Sequence, residues 1–119
     1  LAEGFTVAIG DPNLLNLLRS SVQPYMMSWF VYDPAEEIAK LTMPVLIVQA
    51  ENDLQVPLEE FELLSAAKPD AMTKIVGGMN HVLKDAPQDR MGNLATYSDP
   101  TLPLSTGWLG QLCEMVLEN

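Results

Sequence analysis

The stretch PVLIVQAENDLQVP, from Pro44 to Pro57, carries the strongest structural signal of this chain. Five of the six residues from Val45 to Ala50 are apolar and several are β-branched, a pattern typical of a strand buried on both faces. Such strands belong to parallel sheets. The polar tip Glu51-Asn52-Asp53 follows at the carboxyl end of this strand, where open parallel sheets place ligands and reacting groups. Asp53 is therefore the first candidate for chemistry.

A second, shorter strand is predicted at Thr73 to Val76, followed by two glycines and then by the only histidine, His81. Between the two strands, Leu58 to Ala67 has helical spacing and glutamates in its first turn. A right-handed crossover makes the strands of such a unit parallel, so both following loops lie at the same edge of the sheet. We therefore expect Asp53 and His81 to lie close together.

A carboxylate beside an imidazole is the orienting half of a nucleophilic triad. The carboxylate holds one ring nitrogen as a donor and leaves the other free to take a proton from a nucleophile. Taken alone, Asp53 is more simply a turn former and His81 a structural residue. Their joint position after two parallel strands favours an acid and base pair.

These residues resemble the carboxy-terminal part of the α/β-hydrolases. The pattern is a Pro-led apolar strand, a loop Asp followed by Val-Pro, a helix, a strand and a Gly-rich turn to His. The runs GGMNHVLK, VQPYMMSWFVYDP and YSDPTLPL are similar to one bacterial subset of that family. The resemblance spans nearly the whole chain, and Ala50 is a departure where the family usually has Gly. It implies that Asp53 is the triad acid and His81 the triad base.

The chain has no G-x-S-x-G elbow, which carries the nucleophile in that family. All six serines lack the flanking glycines: Ser20, Ser21, Ser28, Ser65, Ser98 and Ser105. The sequence therefore predicts a fragment with two members of a triad and without the third. Its start without Met is what a truncated or processed product would show. The expected fold class is α/β, a partial α/β-hydrolase fold with a short parallel β-α-β core, strands at about 45–50 and 73–76, and flanking helices.

Helices are predicted on both sides of this core. Residues 1–41 are expected to form a lid-like helical segment, with one helix after Asp11-Pro12 and another capped by Asp33. Residues 42–119 are expected to form the β-α-β-α part of a hydrolase domain, ending in a helix from Gly107 to Leu117. That helix is expected to turn five side chains toward the sheet: Trp108, Leu109, Leu112, Met115 and Val116.

Two regions supply candidates for substrate contact. Gln23 to Tyr32 is the densest aromatic and Met cluster of the chain. The resemblance implies a lid that lines an acyl pocket, whereas the residue types alone favour core packing. In the long loop from Lys84 to Pro103, Tyr97 and Asp99 either flank the site entrance or form plain surface. The candidate substrate-binding residues are Tyr25, Met26, Trp29, Asn80 and Tyr97.

The composition limits the kinds of partner and bound group that are expected for this chain. Six basic and sixteen acidic residues give a net charge of −10, which disfavours nucleic acid and anionic membranes. One cysteine, Cys113, allows no internal disulfide, and with one histidine a Cys/His zinc site is not expected. No apolar run reaches the roughly 20 residues that span a bilayer. We expect no cofactor, no metal and a soluble chain, with the cytoplasm as the favoured compartment.

Three functions remain open from the sequence. The first is a serine esterase, lipase or acyl-peptidase, in which an upstream Ser attacks an ester or amide carbonyl and His81 moves the proton. The second is a related hydrolase with an Asp nucleophile. The third is a non-catalytic binding or dimerising module. We expect a homo-oligomer of the isolated chain, because the strand from Val45 to Ala50 has a free edge, unless Leu1 to Gly10 supplies the missing strand.

Overall fold

The computed structural model of the chain describes residues 19–118. Within this range the protein is of mixed α/β class, with five α-helices and a two-stranded parallel sheet. The chain divides into two compact units between Glu37 and Ile38. The segment Leu1 to Gly10 and the helix expected after Asp11-Pro12 lie outside the described residues.

The first unit contains helix α1 (Gln23–Trp29), and helix α2 (Pro34–Ala39) starts in it. The Asp33 carboxylate accepts a hydrogen bond of 2.9 Å from the backbone N–H of Ala35, so the predicted cap of α2 is confirmed. Tyr25 and Trp29 lie one helical turn apart, and their rings pack edge to face at 5.5 Å between centroids.

The aromatic side chains of the Gln23 to Tyr32 cluster are exposed. The accessible fraction is 64% for Tyr25, 62% for Trp29 and 64% for Tyr32. The interpretation of this cluster as core packing is therefore wrong for its aromatic residues. The residue types alone favoured a buried position for these aromatic side chains. A seven-residue helix followed by a turn is too short to cover them, so most of each side chain stays in contact with solvent.

The second unit is built around the predicted strand-helix-strand unit, which is confirmed. Strands β1 (Leu46–Ala50) and β2 (Met72–Val76) pair in parallel, with Leu46 opposite Met72 and Ala50 opposite Val76. Helix α3 (Leu58–Ala67) connects them and packs against β1. The carboxyl ends of both strands therefore face the same edge of the sheet.

The core of this unit is small. Ala50, Val76 and Met79 are buried together, and the half-buried side chains of Val48 and Trp108 pack against them. The expectation that β1 is buried on both faces holds only in part, since Val48 stays half-buried. A two-stranded sheet has too few neighbouring side chains to enclose both faces of a strand.

The rest of the second unit follows β2. The loop from Lys84 to Pro103 contains helix α4 (Arg90–Ala95) and a 3-10 turn (Thr96–Ser98). Helix α5 (Leu109–Glu118) ends the described chain. No helix in residues 19–118 combines the length and apolar character needed to cross a membrane.

Helix α5 approaches the sheet at its start. A Cβ on Gly107 would lie 2.8 Å from Cγ1 of Val76, so only glycine allows this approach without a shift. The expectation that all five apolar residues of this region face the sheet is wrong for Leu109 and Val116, which are 38% and 63% exposed. The small sheet offers contact surface to only part of one helical face.

Candidate active site

Consecutive residues of the loop after β1 form hydrogen bonds with the loop after β2. The backbone N–H of Glu51 continues the sheet, and its carboxylate accepts a hydrogen bond of 2.8 Å from the N–H of Gly78. The next residue, Asn52, donates its backbone N–H to the carbonyl of Met79 at 2.8 Å. The parallel register of β1 and β2 is therefore carried past the strand ends into both loops.

The third residue of this run, Asp53, contacts His81. Its Oδ2 lies 3.0 Å from Nδ1 of the imidazole, so the hydrogen bond expected from the sequence is present. Its Oδ1 accepts hydrogen bonds from the backbone N–H groups of Gln55 at 2.8 Å and Val56 at 3.0 Å. The backbone thus fixes the orientation of the carboxylate, and Oδ2 is left for the histidine.

The protonation of Asp53 follows from its surroundings. Burial disfavours the charged carboxylate, but hydrogen bonds from the N–H groups of Val56 and Gln55 and the interaction with His81 favour it more. Together they hold the pKa of Asp53 below its ordinary value. The carboxylate is therefore ionised at neutral pH and can only accept hydrogen bonds.

This arrangement selects one form of the neutral imidazole. Because the carboxylate of Asp53 can only accept, Nδ1 of neutral His81 carries the proton and Nε2 does not. Within residues 19–118, no hydrogen bond to Nε2 is found. The His81 side chain is 39% exposed and that of Asp53 only 9%, so the acid is covered while the imidazole is accessible. Such a histidine can take a proton from a hydroxyl group.

A tight turn presents His81. The N–H of Leu83 donates to the carbonyl of Asn80 at 3.0 Å, and the N–H of Asn80 donates to the carbonyl of Lys84 at 2.9 Å. Leu83 has a φ of 63°, in the left-handed region that costs a non-glycine residue about 1–2 kcal/mol. No sequence signal marked this position, because a leucine is seldom found in such a conformation.

A cavity of about 340 Å³ lies beside Asp53 and His81. Most of its wall is apolar, formed by Val48, Ala50, Val56, Met79, Leu83 and Trp108. No serine, threonine or cysteine lines this cavity in the described chain. The expected pair of acid and base therefore faces a largely apolar space that holds no nucleophile of its own.

The cavity lies at the carboxyl end of β1. Val48, Gln49 and Ala50 of this strand line it, together with Asp53 and Val56 of the loop that follows. Among residues 19–118, β1 pairs only with β2, so its other edge has no strand partner.

The candidate substrate residues have different positions. The side chain of Asn80 donates to Asn93 and Thr96 and accepts from the backbone of Lys84. These bonds occupy both of its amide hydrogens and the residue is 0% exposed. Asn80 nevertheless lines the cavity, and its contact with substrate stays a prediction. The hydroxyl of Tyr97 accepts a hydrogen bond from Gln55.

Tyr97 therefore lies against the loop of Asp53, but it does not line the cavity. Asp99 uses its carboxylate on Thr101, within its own turn. Tyr25, Met26 and Trp29 lie on α1 of the first unit, and their contact with substrate stays a prediction. In the described part of the chain, no group of three or more His, Cys, Asp or Glu side chains is placed to hold a metal ion.

Sequence reasoning missed Asn52 and Asn93. The side chain of Asn93 donates to the backbone carbonyl of Asn52 at 2.7 Å, although 41 residues separate them. Asparagine in a polar loop normally indicates a turn, and nothing in the local sequence signals a contact over such a separation.

Comparison of the chain with protein-family models, with curated proteins and with solved structures finds no match. The resemblance to α/β-hydrolases therefore stays a prediction that rests on the residues themselves.

Proposed function

We propose that this chain supplies the base and the acid of a Ser-His-Asp triad in a hydrolase that acts on an ester or an amide. The observation that carries the proposal is the distance of 3.0 Å between Nδ1 of His81 and Oδ2 of Asp53. The nucleophilic serine comes from a segment outside this sequence, next to the cavity that both residues line. The chain alone is inactive.

In this reaction Nε2 of His81 takes the proton of the serine hydroxyl as its oxygen attacks the substrate carbonyl. Asp53 stays ionised and stabilises the imidazolium that forms. His81 then gives the proton to the leaving alcohol or amine, which leaves an acyl-serine. Water attacks the acyl group with His81 again as base, and the proton returns to the serine as the acid product leaves.

The lowered pKa of Asp53 supports this role, because the acid of a triad has to remain charged while its histidine gains and loses a proton. The apolar wall of the cavity supports it as well. Charge that develops near His81 is less screened there than it would be in water, so the carboxylate acts on it more strongly.

A second candidate function is a non-catalytic dimerising module. Exposed apolar side chains on the sheet favour it, since Met72 is 39% and Ile75 45% exposed. The edge of β1 that has no strand partner among residues 19–118 favours it too, because a free strand edge is a template for pairing with another chain.

The first experiment compares hydrolysis of an activated ester by the chain and by its His81→Ala variant. We expect equal rates, because an imidazole without its nucleophile adds little beyond free imidazole in solution. Met91→Ala is the matched control, because Met91 is 86% exposed. A burst of covalent acylation on any of the six serines would contradict the proposal and would relocate the nucleophile.

The second experiment examines the protein in its own cells. An antibody to this chain is used to collect the native species, which is then treated with a serine-directed fluorophosphonate. We expect a labelled species heavier than the 13.1 kDa of this chain, and loss of the label after His81→Ala. An unlabelled species of 13.1 kDa would reject the triad and favour the dimerising module.

A further inference from the structure

Helix α4 carries an asparagine that is completely buried. Asn93 is 0% exposed, as is Asn80, and the neighbouring Thr96 is 6% exposed. Buried amide groups are costly unless they are hydrogen-bonded, so the partners of such a residue define its role. Asn93 belongs to neither of the loops that carry Asp53 and His81, and it does not line the cavity.

The side chain of Asn93 binds both of those loops. Its Nδ2 donates to the carbonyl of Asn52 at 2.7 Å, and its Oδ1 accepts from Nδ2 of Asn80 at 3.2 Å. Asn52 directly precedes Asp53, and Asn80 directly precedes His81. One amide thus connects the residues that come just before the acid and the base.

The hydrogen bonds around Asn93 form a closed set. The second hydrogen of its Nδ2 goes to the carbonyl of Pro87 at 3.1 Å. The hydroxyl of Thr96 accepts from Nδ2 of Asn80 at 2.7 Å and donates to the carbonyl of Asn93 at 2.7 Å. A fully satisfied buried network favours one arrangement, and removal of one member leaves the others without partners.

Two more contacts hold the segment after α4 against the loop of His81. Nζ of Lys84, three residues after His81, donates to the carbonyls of Thr96 at 2.9 Å and Asp99 at 2.6 Å. Asn93 therefore occupies a fixed position, and a fixed donor and acceptor can set the spacing of the loops that it binds.

We propose that Asn93 is a positioning residue that keeps the loops of Asp53 and His81 at hydrogen-bonding distance. It acts through Asn52 and Asn80 and touches no reacting group. The inference rests on the proposed function only for its biological meaning, because its structural effect is measurable without any substrate.

The test is nitrogen NMR of the chain labelled at histidine, which reports whether Nδ1 or Nε2 of the neutral imidazole carries the proton. His81 is the only histidine, so the signal has one source. In Asn93→Ala the loops separate, and the ratio of the Nδ1–H form to the Nε2–H form falls about tenfold, as expected for loss of one buried hydrogen bond. Circular dichroism of the same samples reports whether the fold is kept.

Met91→Ala is the control on the same helix, because its side chain is 86% exposed, and we expect the wild-type ratio. An unchanged ratio in a folded Asn93→Ala variant would overturn the positioning role. If Asn93→Ala does not fold, Thr96→Val takes its place. That change keeps the side-chain volume and removes the acceptor used by Asn80, so we expect a fall in the same direction, and an unchanged ratio would overturn the role.

This test separates the two proposals. An unchanged ratio rejects the role of Asn93 and leaves the triad proposal standing. A native protein that takes no fluorophosphonate label rejects the triad and leaves the effect of Asn93 on His81 as measured.

Discussion

Asp53 divides its two carboxylate oxygens between two tasks. One oxygen is held by the backbone N–H groups of Gln55 and Val56, and the other receives the imidazole of His81. The bonds from Gln55 and Val56 are local, because these residues follow Asp53 within the same turn. The second joins residues that are distant in sequence, so it requires the parallel strands to be in place first.

The lowered pKa of Asp53 predicts how stability depends on pH. In the unfolded chain this carboxyl titrates near the ordinary Asp value of about 3.9, and in the folded chain it titrates lower. As pH falls through this interval, the unfolded state binds the proton first. The contribution of the ionised carboxylate is therefore present above the unfolded pKa and is lost as pH falls through the folded one.

We expect wild type to lose this contribution to the free energy of unfolding, whereas Asp53→Asn has no carboxyl group at this position and cannot lose it. The free energy of unfolding is measured by urea denaturation for both proteins, and their difference should shrink as pH falls from about 5 to about 3. Asp70 and Asp99 also have lowered pKa values, but they titrate in both proteins and cancel in the difference. A difference that stays constant over this range would refute the prediction.

At the scale of secondary structure elements, contact between the start of α5 and β2 depends on Gly107. A methyl group there would lie 2.8 Å from Cγ1 of Val76, which is 4% exposed and has little room to move. We expect Gly107→Ala to lower the free energy of unfolding by about 1–3 kcal/mol, as overpacking does in other cores.

Gly110→Ala is the matched control in α5. Apart from its own helix and its chain neighbours, no atom lies within 4 Å of the added methyl group, and Gly110 stands in the first turn of α5. We therefore expect a stability within about 0.5 kcal/mol of wild type. Urea unfolding of both variants gives the comparison. A Gly107→Ala variant as stable as wild type would mean that α5 is not closely packed on the sheet.

Local patterns in the sequence were sufficient to predict the two strands. The apolar run before Asp53 and the β-branched run before His81 predicted both strands to within one residue at each end, because short strands between turn residues leave a clear pattern. The parallel topology of these strands also predicted the hydrogen bond between Asp53 and His81. The role of Asn93 was not predictable, because it arises from tertiary contacts of a polar loop that has no periodicity of its own.

At the scale of the whole molecule, the exposed apolar surface of residues 19–118 is large for the core that these residues form. Trp29 is 62%, Leu63 58% and Leu104 57% exposed, while the buried cluster in this range consists of Ala50, Val76 and Met79. Monomeric proteins seldom leave large apolar patches in contact with water. The sequence pattern did not reveal this exposure, because it identifies apolar faces but not what covers them.

We therefore predict that the isolated chain forms a homo-oligomer, most simply a two-fold dimer. The contact would form through the edge of β1 that has no strand partner among residues 19–118, or through an apolar patch. Light scattering at micromolar concentration should give about twice the chain mass. A clean monomer of 13.1 kDa would refute this prediction. The alternative, in which Leu1 to Gly10 supplies a strand, concerns residues outside the described range.

The proposed role of Asp53 is to keep Nε2 of His81 free to act as a base, and the position of one proton on the imidazole tests this role. Nitrogen NMR of the neutral imidazole should find the proton on Nδ1 in wild type. In Asp53→Asn the backbone N–H groups of Gln55 and Val56 retain the amide oxygen, so the amide N–H faces Nδ1 and the imidazole proton moves to Nε2. A proton on Nε2 in both proteins would mean that Asp53 does not set the tautomer of His81.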